Sequence, residues 1–386
     1  MKGAVKDMRR FGLLALSIIV VSSMIIGYGG VFAASPTPET SGTPAAPAPA
    51  PTPYYKDASK APNEVDFNWG KFKLADYIVK HLADKAKLKI RDSWVNPGEV
   101  GWGPVLQDGG RASAEEYGFD YQMVGPMSGK VAEQASMLDD LIVNQVADCL
   151  VVAQQTADLF NPLINKAMGA GIPVFSYNID APNSNRIAHY GQNLPESGRQ
   201  AAREFLKWHG NKKGKIALFG GLLASDYVID RLAGFKEEIL KAVPDMEFVG
   251  PTETGYERDK VYSIVENVHT AHPDITGMYF TEAMVIPGAE YVQRNGLQDK
   301  ITVVGFNVFP EMLPLIASGA LDSTIGQFIY TQGYEPATMC YKFLAKGELP
   351  KTVFTDTGSE VVDRTNYQKY LKEQEAAKEP TATPKP

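Results

Sequence analysis

Residues 172–178 have the sequence Ile-Pro-Val-Phe-Ser-Tyr-Asn, and residues 301–307 have the sequence Ile-Thr-Val-Val-Gly-Phe-Asn. Apolar runs of this kind, bounded by Gly or Pro, indicate strands that are buried on both faces, as in a parallel sheet. In open parallel sheets, the ligand site lies beyond the carboxyl ends of the strands. Because Asn178 and Asn307 follow such ends, we predict two sheets that direct polar groups into one cleft.

The composition sets the scale of the molecule. The 386 residues correspond to about two domains plus tails. An apolar content of 44% is enough for large cores. The net charge of −7 argues against a nucleic-acid-binding surface.

The cysteines and histidines give no sign of a metal or cofactor site. Cys149 and Cys340 have no partner at metal-ligand spacing and exclude a disulfide-rich scaffold. We interpret both as buried thiols, and the sequence leaves open whether they pair. His269 and His272 are close in sequence but lack a carboxylate companion, so we assign them to the surface. The glycine pair at 220–221 matches no phosphate-binding or dinucleotide-binding fingerprint.

Residues 1–34 form a targeting segment. The segment begins with four basic residues, Lys2, Lys6, Arg9 and Arg10. A largely apolar stretch at 11–26 follows, and small residues precede a cleavage position after Ala33. The apolar part is also long enough to span a bilayer, at about 20 residues. A signal peptide or a membrane anchor is therefore expected, and both place the rest of the chain outside the cytoplasm.

The rest of the chain divides by composition. Residues 35–63 are predicted to form a Pro/Ala/Thr-rich tether, and residues 373–386 a disordered tail. Between them, strand and helix patterns alternate, which implies parallel sheets with right-handed crossovers. We predict strands at 88–95, 119–124, 149–153, 173–177, 216–219, 248–251, 278–280 and 301–306. We predict helices at 104–117, 130–145, 159–170, 229–242, 258–271 and 286–295.

Several short segments, taken in their order and spacing, carry a family resemblance. They are QASMLDDLI at 134–142, AGIPV at 170–174, GKIA at 214–217, DRLAGF at 230–235, AHPDI at 271–275 and VVGFN at 303–307. From about 88 to 349 the chain resembles the type I periplasmic solute-binding proteins of sugar ABC transporters, in particular the ribose-binding-like group. VGW at 100–102 and NID at 178–180 resemble the subgroup that includes rhamnose-binding and furanose-signal-binding proteins.

The resemblance implies a specific α/β architecture. It comprises two doubly wound parallel-sheet lobes joined by a three-segment hinge, with the ligand held in the cleft as the lobes close. The crossings are expected near 188–192, near 326–328 and after about 350. Lobe one would then comprise 64–189 plus 328–350, and lobe two 190–327 plus 351–372.

The resemblance also implies which residues bind the ligand. A sugar needs flat apolar surface and a few well-placed polar groups. The family's ligand-binding positions correspond here to Asn96, Trp102, Gln154, Gln155, Asn178, Asp180, Arg231, Glu282, Asn307 and Gln327. Secondary candidates are Trp94, Tyr177 and Asp230. Asp226 and Asp230 lie close to Arg231 in sequence and are expected to orient it.

Some of these positions depart from the family's residue pattern, and several also have a purely structural interpretation. Asn178 and Asn307 stand where the family has Asp, and Glu282 stands where it has Asn or Asp, so the ribose pattern is not reproduced. A carboxylate only accepts hydrogen bonds, whereas an amide also donates them. The asparagines also fit ordinary turns after strands. Trp94 and Trp102 also fit a core, and Glu282 a helix cap.

The leading functional hypothesis is an extracytoplasmic substrate-binding component of an ABC transporter. It would bind a monosaccharide or polyol by hinge closure and pass it to a permease, acting as a monomer. The membrane would be contacted only through the N-terminal segment or the permease, and no cofactor or nucleic acid is expected. No Ser-His-Asp arrangement supports an enzyme. The alternative is a sensory protein that presents a small signal, such as a furanose, to a membrane receptor. A repressor of the same fold would need a DNA-binding helix-turn-helix where the export signal stands.

Overall fold

The computed structural model describes residues 55–57, 64–67, 70–84, 87–98 and 101–378. The predicted signal segment, residues 35–54 of the predicted tether and residues 379–386 lie outside the described residues. Within the described part of the chain, no helix is long and apolar enough to cross a membrane.

A small antiparallel sheet and a helix precede the first lobe, and the sequence analysis did not predict them. They are β1 (Tyr55–Asp57), β2 (Glu64–Phe67), β3 (Gly70–Lys73) and α1 (Asp76–Ala83). Phe67 and Phe72 are almost fully buried in the core of the first lobe, which anchors this small sheet there. Because β1 pairs with β2, the predicted tether at 35–63 is wrong for residues 55–57.

The next strands and helices follow the predicted alternation. The strands are β4 (Lys89–Ser93), β5 (Asp120–Val124), β6 (Cys149–Val152), β7 (Val174–Tyr177) and β8 (His189–Gly191). The helices are α2 (Gly103–Tyr117), α3 (Val131–Val143) and α4 (Ala157–Gly169). All residues of β6 and β7 are buried, as the apolar runs in the sequence indicate.

The chain then builds a second set of elements. Its strands are β9 (Lys215–Gly220), β10 (Glu247–Glu253), β11 (Gly277–Phe280), β12 (Thr302–Phe306) and β13 (Ser323–Gly326). Its helices are α5 (Leu194–His209), α6 (Asp226–Ala242), α7 (Arg258–Ala271), α8 (Val285–Arg294) and α9 (Met312–Ala317).

The last segment returns to the first lobe before it ends in the second. It contains α10 (Ile329–Lys346), β14 (Phe354–Asp356), β15 (Glu360–Asp363) and α11 (Tyr367–Lys378). β14 pairs with β8 and β15 with β13, so the third crossing lies between β14 and β15, after residue 350 as expected, but residues 354–356 belong to the first sheet and not to lobe two. The backbone of α11 continues to Lys378, so the predicted tail at 373–386 is wrong for residues 373–378.

Two six-stranded sheets share one strand order. The first sheet runs β5-β4-β6-β7-β8-β14 and is parallel throughout, and the second runs β10-β9-β11-β12-β13-β15, in which β15 alone is antiparallel. We call the part built on the first sheet lobe one and the part built on the second sheet lobe two. The predicted doubly wound α/β fold with two parallel-sheet lobes is confirmed. In each sheet the strand order reverses beside the first strand, and the carboxyl ends of the strands near this point form the ligand site in such folds.

A disulfide joins Cys149 in β6 to Cys340 in α10. Both cysteines are buried as interpreted, but they are paired and not thiols, which answers the question that the sequence left open. The two residues are 191 positions apart, so the bond closes a long loop and attaches the returning helix to the middle of lobe one.

Closely packed helix pairs support both lobes. At Gly109 and Gly333, where α2 meets α10, an added Cβ would lie 2.2 and 2.1 Å from a carbonyl oxygen of the other helix. At Gly198 and Gly234, where α5 meets α6, the corresponding distances are 2.2 and 2.0 Å. The oxygen facing Gly198 belongs to Arg231, so this packing also fixes the backbone of a predicted site residue.

Candidate ligand-binding site

A cavity of about 490 Å³ lies between the carboxyl ends of the two sheets. This volume falls within the range of about 300–1,000 Å³ that is usual for small-molecule sites. Both lobes contribute to its wall. Most of the residues predicted from the sequence line it: Trp94, Asn96, Trp102, Gln155, Asn178, Arg231, Glu282, Asn307 and Gln327.

Two predicted residues face the interior of lobe one, and the prediction needs correction there. Gln154 is fully buried, and its amide nitrogen donates to the backbone carbonyl of Asp180. The carboxylate of Asp180 is itself held by Arg186, whose Nη2 lies 2.6 Å from Oδ2. These hydrogen bonds hold both side chains within lobe one, where Oε1 of Gln154 is buried without a partner, and neither residue lines the cavity.

Two secondary candidates also lie outside the cavity wall. Tyr177 is fully buried, and its hydroxyl donates to Asp92 at 2.8 Å. Asp230 is half-buried on α6, and burial together with the charge of Asp226 raises its pKa. The described contacts of the Arg231 guanidinium include neither Asp226 nor Asp230, so the expectation that they orient it is wrong.

Ser176, His189 and Asp180 do meet, but not in a catalytic arrangement. The Ser176 hydroxyl lies 2.9 Å from His189 Nδ1, and Asp180 Oδ1 lies 3.4 Å from the same nitrogen. A Ser-His-Asp triad needs the serine and the carboxylate on opposite nitrogens of the ring. Burial lowers the pKa of His189 to about 4, so the ring is neutral at pH 7. The three side chains form a buried structural cluster.

Stacked aromatic rings form one wall of the cavity. The rings of Trp94 and Trp102 are 5.6 Å apart with planes inclined by 19°, and Tyr177 stacks behind Trp94 at 5.9 Å. Trp94 follows β4 directly, and Trp102 precedes the first residue of α2. The wall presents flat apolar surface, and the indole nitrogen of Trp94 is buried without a hydrogen-bond partner.

The two asparagines occupy equivalent places in the two lobes. Asn178 follows β7 and Asn307 follows β12, and both have a left-handed backbone, with φ of 61° and 74°. Asparagine tolerates this conformation better than most residues. The amide of Asn178 donates to Gln332 at 3.1 Å, and Asn307 accepts a hydrogen bond of 2.6 Å from Gln327. These side chains are therefore held where the strands open into the cavity.

Arg231 extends from α6 toward the cavity. Its Nη1 donates to the Thr281 carbonyl at 2.7 Å, and its Nη2 donates to Gln192 at 2.8 Å. The guanidinium carbon lies 3.8 Å from the centre of the Phe306 ring. Burial lowers the pKa of Arg231 to about 10, so it stays protonated at neutral pH. The sequence analysis missed Gln192, because no motif marks a residue that follows a crossing strand.

Glu282 contributes a buried carboxylate from the loop after β11. Thr281 donates its hydroxyl to Oε2 at 2.6 Å, whereas Oε1 has no hydrogen-bond partner. Burial raises the pKa of Glu282. Hydrogen bonds from Thr281 and the Gly221 backbone and the charge of Arg231 offset this only in part. The interpretation of Glu282 as a ligand-facing residue thus fits its position in the cavity wall.

The sequence analysis also missed part of the mouth of the cavity. Tyr227 and Tyr256, on lobe two, approach each other with their hydroxyl oxygens 2.8 Å apart. Ser128 lines the wall from lobe one, and Leu222 and Met284 line it from lobe two. These residues lie in loops or first helical turns, where no sequence period predicts the direction of a side chain.

Four residues that line the cavity, two from each lobe, carry buried polar atoms without hydrogen-bond partners. Lobe one contributes the indole nitrogen of Trp94 and the amide nitrogen of Gln155, and lobe two contributes Nε of Arg231 and Oε1 of Glu282. Each such group costs about 1–3 kcal/mol when it is left unsatisfied. A small molecule in the cavity that accepts from three of these atoms and donates to the fourth would bridge the lobes.

The comparison with protein families assigns this architecture. The family described as "Periplasmic binding protein domain" matches residues 93–349. The chain belongs to this family. The match covers most of both lobes, and the small N-terminal sheet, β14, β15 and α11 lie outside it.

Curated relatives and solved structures agree with the assignment. Over 270 residues the chain is 26% identical to the xylose/arabinose-binding protein XylF of Sulfolobus acidocaldarius, and the match covers 65% of each chain, slightly less than two thirds of the length of XylF. Over 244 residues it is 22% identical to the ribose import binding protein RbsB of Salmonella typhimurium, covering 63% of this chain and 80% of RbsB. The structure of GanP, a glucose-galactose binding protein from Geobacillus stearothermophilus, superposes with a TM-score of 0.68 at 24% identity, over 72% of this chain and 98% of GanP.

Family membership confirms three broader expectations. The suspected type I periplasmic binding protein fold is confirmed, and the family consists of binding proteins, not of enzymes. Proteins of this family work outside the cytoplasm. The predicted signal segment itself lies outside the described residues.

Proposed function

We propose that this protein is the substrate-binding component of an ABC transporter and that it binds a neutral sugar or polyol in the cavity between its lobes. The observation that carries the proposal is the set of unpartnered buried atoms of Trp94, Gln155, Arg231 and Glu282. Three are donors and one is an acceptor. Neighbouring hydroxyl groups on one molecule can accept from the donors and donate to the acceptor.

The charges in the cavity support a neutral ligand. The guanidinium of Arg231 and the carboxyl group of Glu282 are both buried in the cavity wall, where burial raises the pKa of Glu282 and the charge of Arg231 lowers it. A charged ligand would leave an uncompensated charge in the closed cleft, which is costly. The indole of Trp102, which lines the cavity and stacks on Trp94, offers a surface for the apolar C–H face of a sugar ring.

The relatives support the same ligand class. The names of these proteins assign xylose and arabinose to XylF, ribose to RbsB, and glucose and galactose to GanP. Because identities of 22–26% leave the individual ligand open, we propose the class of small neutral sugars and polyols and not one member of it.

The mechanism follows from the position of the unpartnered atoms. Binding to one lobe leaves two ligand-facing atoms of the other lobe unsatisfied, and closure of the hinge brings these to the ligand. The closed protein, acting as a monomer, then docks on an ABC permease. We also propose that residues 1–34 direct the chain out of the cytoplasm, either as a cleaved signal or as an anchor.

The test is a screen of the purified protein against monosaccharides and polyols by thermal unfolding, followed by calorimetry. A ligand at 100 times its Kd stabilises a protein by about 2.7 kcal/mol, which gives a clear shift in Tm. Gln155→Met removes one ligand-facing donor and should weaken binding about 5- to 10-fold. The matched control is Gln122→Met, on the exposed surface of β5. The proposal fails if the screen gives no hit, or if both variants bind the hit equally well.

A further inference from the structure

We propose that Gln192 is a positioning residue for ligand binding, which acts by fixing the orientation of the Arg231 guanidinium. The inference rests on the proposed function, since it assigns Arg231 a role in holding the ligand. Gln192 does not line the cavity, so it would act on the ligand through Arg231 and not by direct contact.

Gln192 occupies a central place in the hinge. It directly follows β8, where the chain leaves the first sheet, and its exposed fraction is 3%. Its side-chain oxygen accepts from Nη2 of Arg231 at 2.8 Å. Its side-chain nitrogen donates to the carbonyl of Gly326 at 3.2 Å, at the end of β13, where the chain leaves the second sheet. One side chain therefore links two of the three crossings to Arg231.

The remaining contacts of Arg231 show why this bond matters. Nη1 is fixed by the Thr281 carbonyl, and the guanidinium face rests on the Phe306 ring. For Nη2 the alternative acceptor is Gln327, at 3.4 Å, a distance typical of a weak hydrogen bond. Without Gln192, the guanidinium would keep one strong anchor and could turn about it.

Orientation matters because the guanidinium is planar and rigid. When both terminal nitrogens are held, the direction of the Nε–H bond is fixed as well. This Nε is the atom of Arg231 that is buried without a partner. The bond from Gln192 therefore fixes the orientation of this donor before a ligand arrives, and preorganisation of this kind raises affinity.

Two substitutions at this position separate the two hydrogen bonds. Gln192→Met has a similar length and loses both bonds. Gln192→Glu keeps an acceptor for Arg231 but loses the donor to Gly326. The control for a general loss of stability is Ser113→Ala, which removes a buried hydrogen bond of 2.8 Å between α2 and α10.

Calorimetry with the sugar found in the screen gives the expected order of affinities. Gln192→Met should bind about 10- to 100-fold more weakly than the unsubstituted protein, because the charged hydrogen bond that orients the guanidinium before binding is lost and the ligand must supply that ordering. Gln192→Glu should restore binding to within about threefold, and Ser113→Ala should bind normally. The positioning role is wrong if Gln192→Met binds normally. It is also wrong if Gln192→Glu binds as weakly as Gln192→Met, which would assign the effect to the hinge bond alone.

A crystal structure of unliganded Gln192→Met tests the inference without a sugar. The guanidinium of Arg231 should rotate away from the Phe306 ring in this variant and stay in place in Gln192→Glu. An unchanged Arg231 in Gln192→Met would overturn the positioning role. Failure of the unsubstituted protein to bind any sugar would instead overturn the proposed function, and the two failures are distinguishable.

Discussion

Replacing Glu282 by Gln should stabilise the unliganded protein and weaken ligand binding. The pKa of Glu282 is raised by burial, and the hydrogen bonds and the charge of Arg231 do not fully compensate. A raised pKa means that the folded surroundings, taken together, disfavour the charged form. A neutral amide of the same shape removes this penalty, so the free energy of unfolding of the unliganded protein should rise at neutral pH.

The effect on affinity follows from the two oxygens of Glu282. Oε2 accepts from the Thr281 hydroxyl, and Oε1 is buried without a partner in a residue that lines the cavity. In Glu282→Gln the amide oxygen is expected to turn toward Thr281, which places the NH₂ group where the ligand met an acceptor. A hydrogen bond to a charged group contributes about 1.5–3 kcal/mol and a neutral one about 0.5–1.5 kcal/mol. The difference of about 1.4 kcal/mol predicts a tenfold weaker Kd.

Two measurements test whether the stability of the unliganded protein rises and whether the affinity for the ligand falls. Urea denaturation of the empty protein gives the free energy of unfolding, and calorimetry with the sugar from the screen gives Kd. Glu257→Gln, at an exposed position, is the matched control and should change neither. A lower stability of the empty Glu282→Gln variant would refute the electrostatic reasoning. An unchanged Kd would refute the assignment of Glu282 as a ligand acceptor.

Three further predictions concern stability. Burial raises the pKa of Asp92 from 3.8 to about 7, so the native state binds the extra proton and stability is lost as the pH rises from about 4 to 7. At about 1.36 kcal/mol per pKa unit, the free energy of unfolding should fall by about 4 kcal/mol over this pH range. Urea denaturation at several pH values should show this fall in the unsubstituted protein but not in Asp92→Asn. Replacing both Cys149 and Cys340 by Ser should lower the free energy of unfolding by roughly 2–5 kcal/mol in the same assay, and equal stability would argue against the disulfide. Gly198→Ala should push α5 and α6 apart at the Arg231 carbonyl, and calorimetry should show weaker binding together with a loss of stability of about 1–3 kcal/mol.

The sequence predicts the sheets well because their central strands are buried on both faces. β6, β7, β11 and β12 are nearly continuous apolar runs, and only a parallel sheet covered by helices accommodates such strands. The small N-terminal sheet was not predicted because its strands are only three or four residues long and each contains charged residues. The pairing of Cys149 with Cys340 was not predicted either, since a separation of 191 residues gives no local signal of pairing.

The sequence predicts where the site lies better than which side chains face it. Residues after the carboxyl ends of strands do surround the cavity, as for Asn178 and Asn307. Gln154 and Asp180 also follow strands, yet they turn inward because Arg186 offers the carboxylate a partner inside the lobe. Such choices depend on tertiary neighbours, which no spacing rule supplies.

The left-handed backbone at Asn178 and Asn307 limits how this cavity can change its ligand in evolution. Asp is enriched in that conformation as Asn is, whereas a β-branched or bulky side chain there would strain the chain. Substitution between Asn and Asp is therefore the change that strains the backbone least at these two positions. Gln155 and Glu282 have ordinary backbone angles and accept a wider range of residues. We expect homologues with different ligands to vary first at these two, around a nearly fixed pair of asparagines or aspartates.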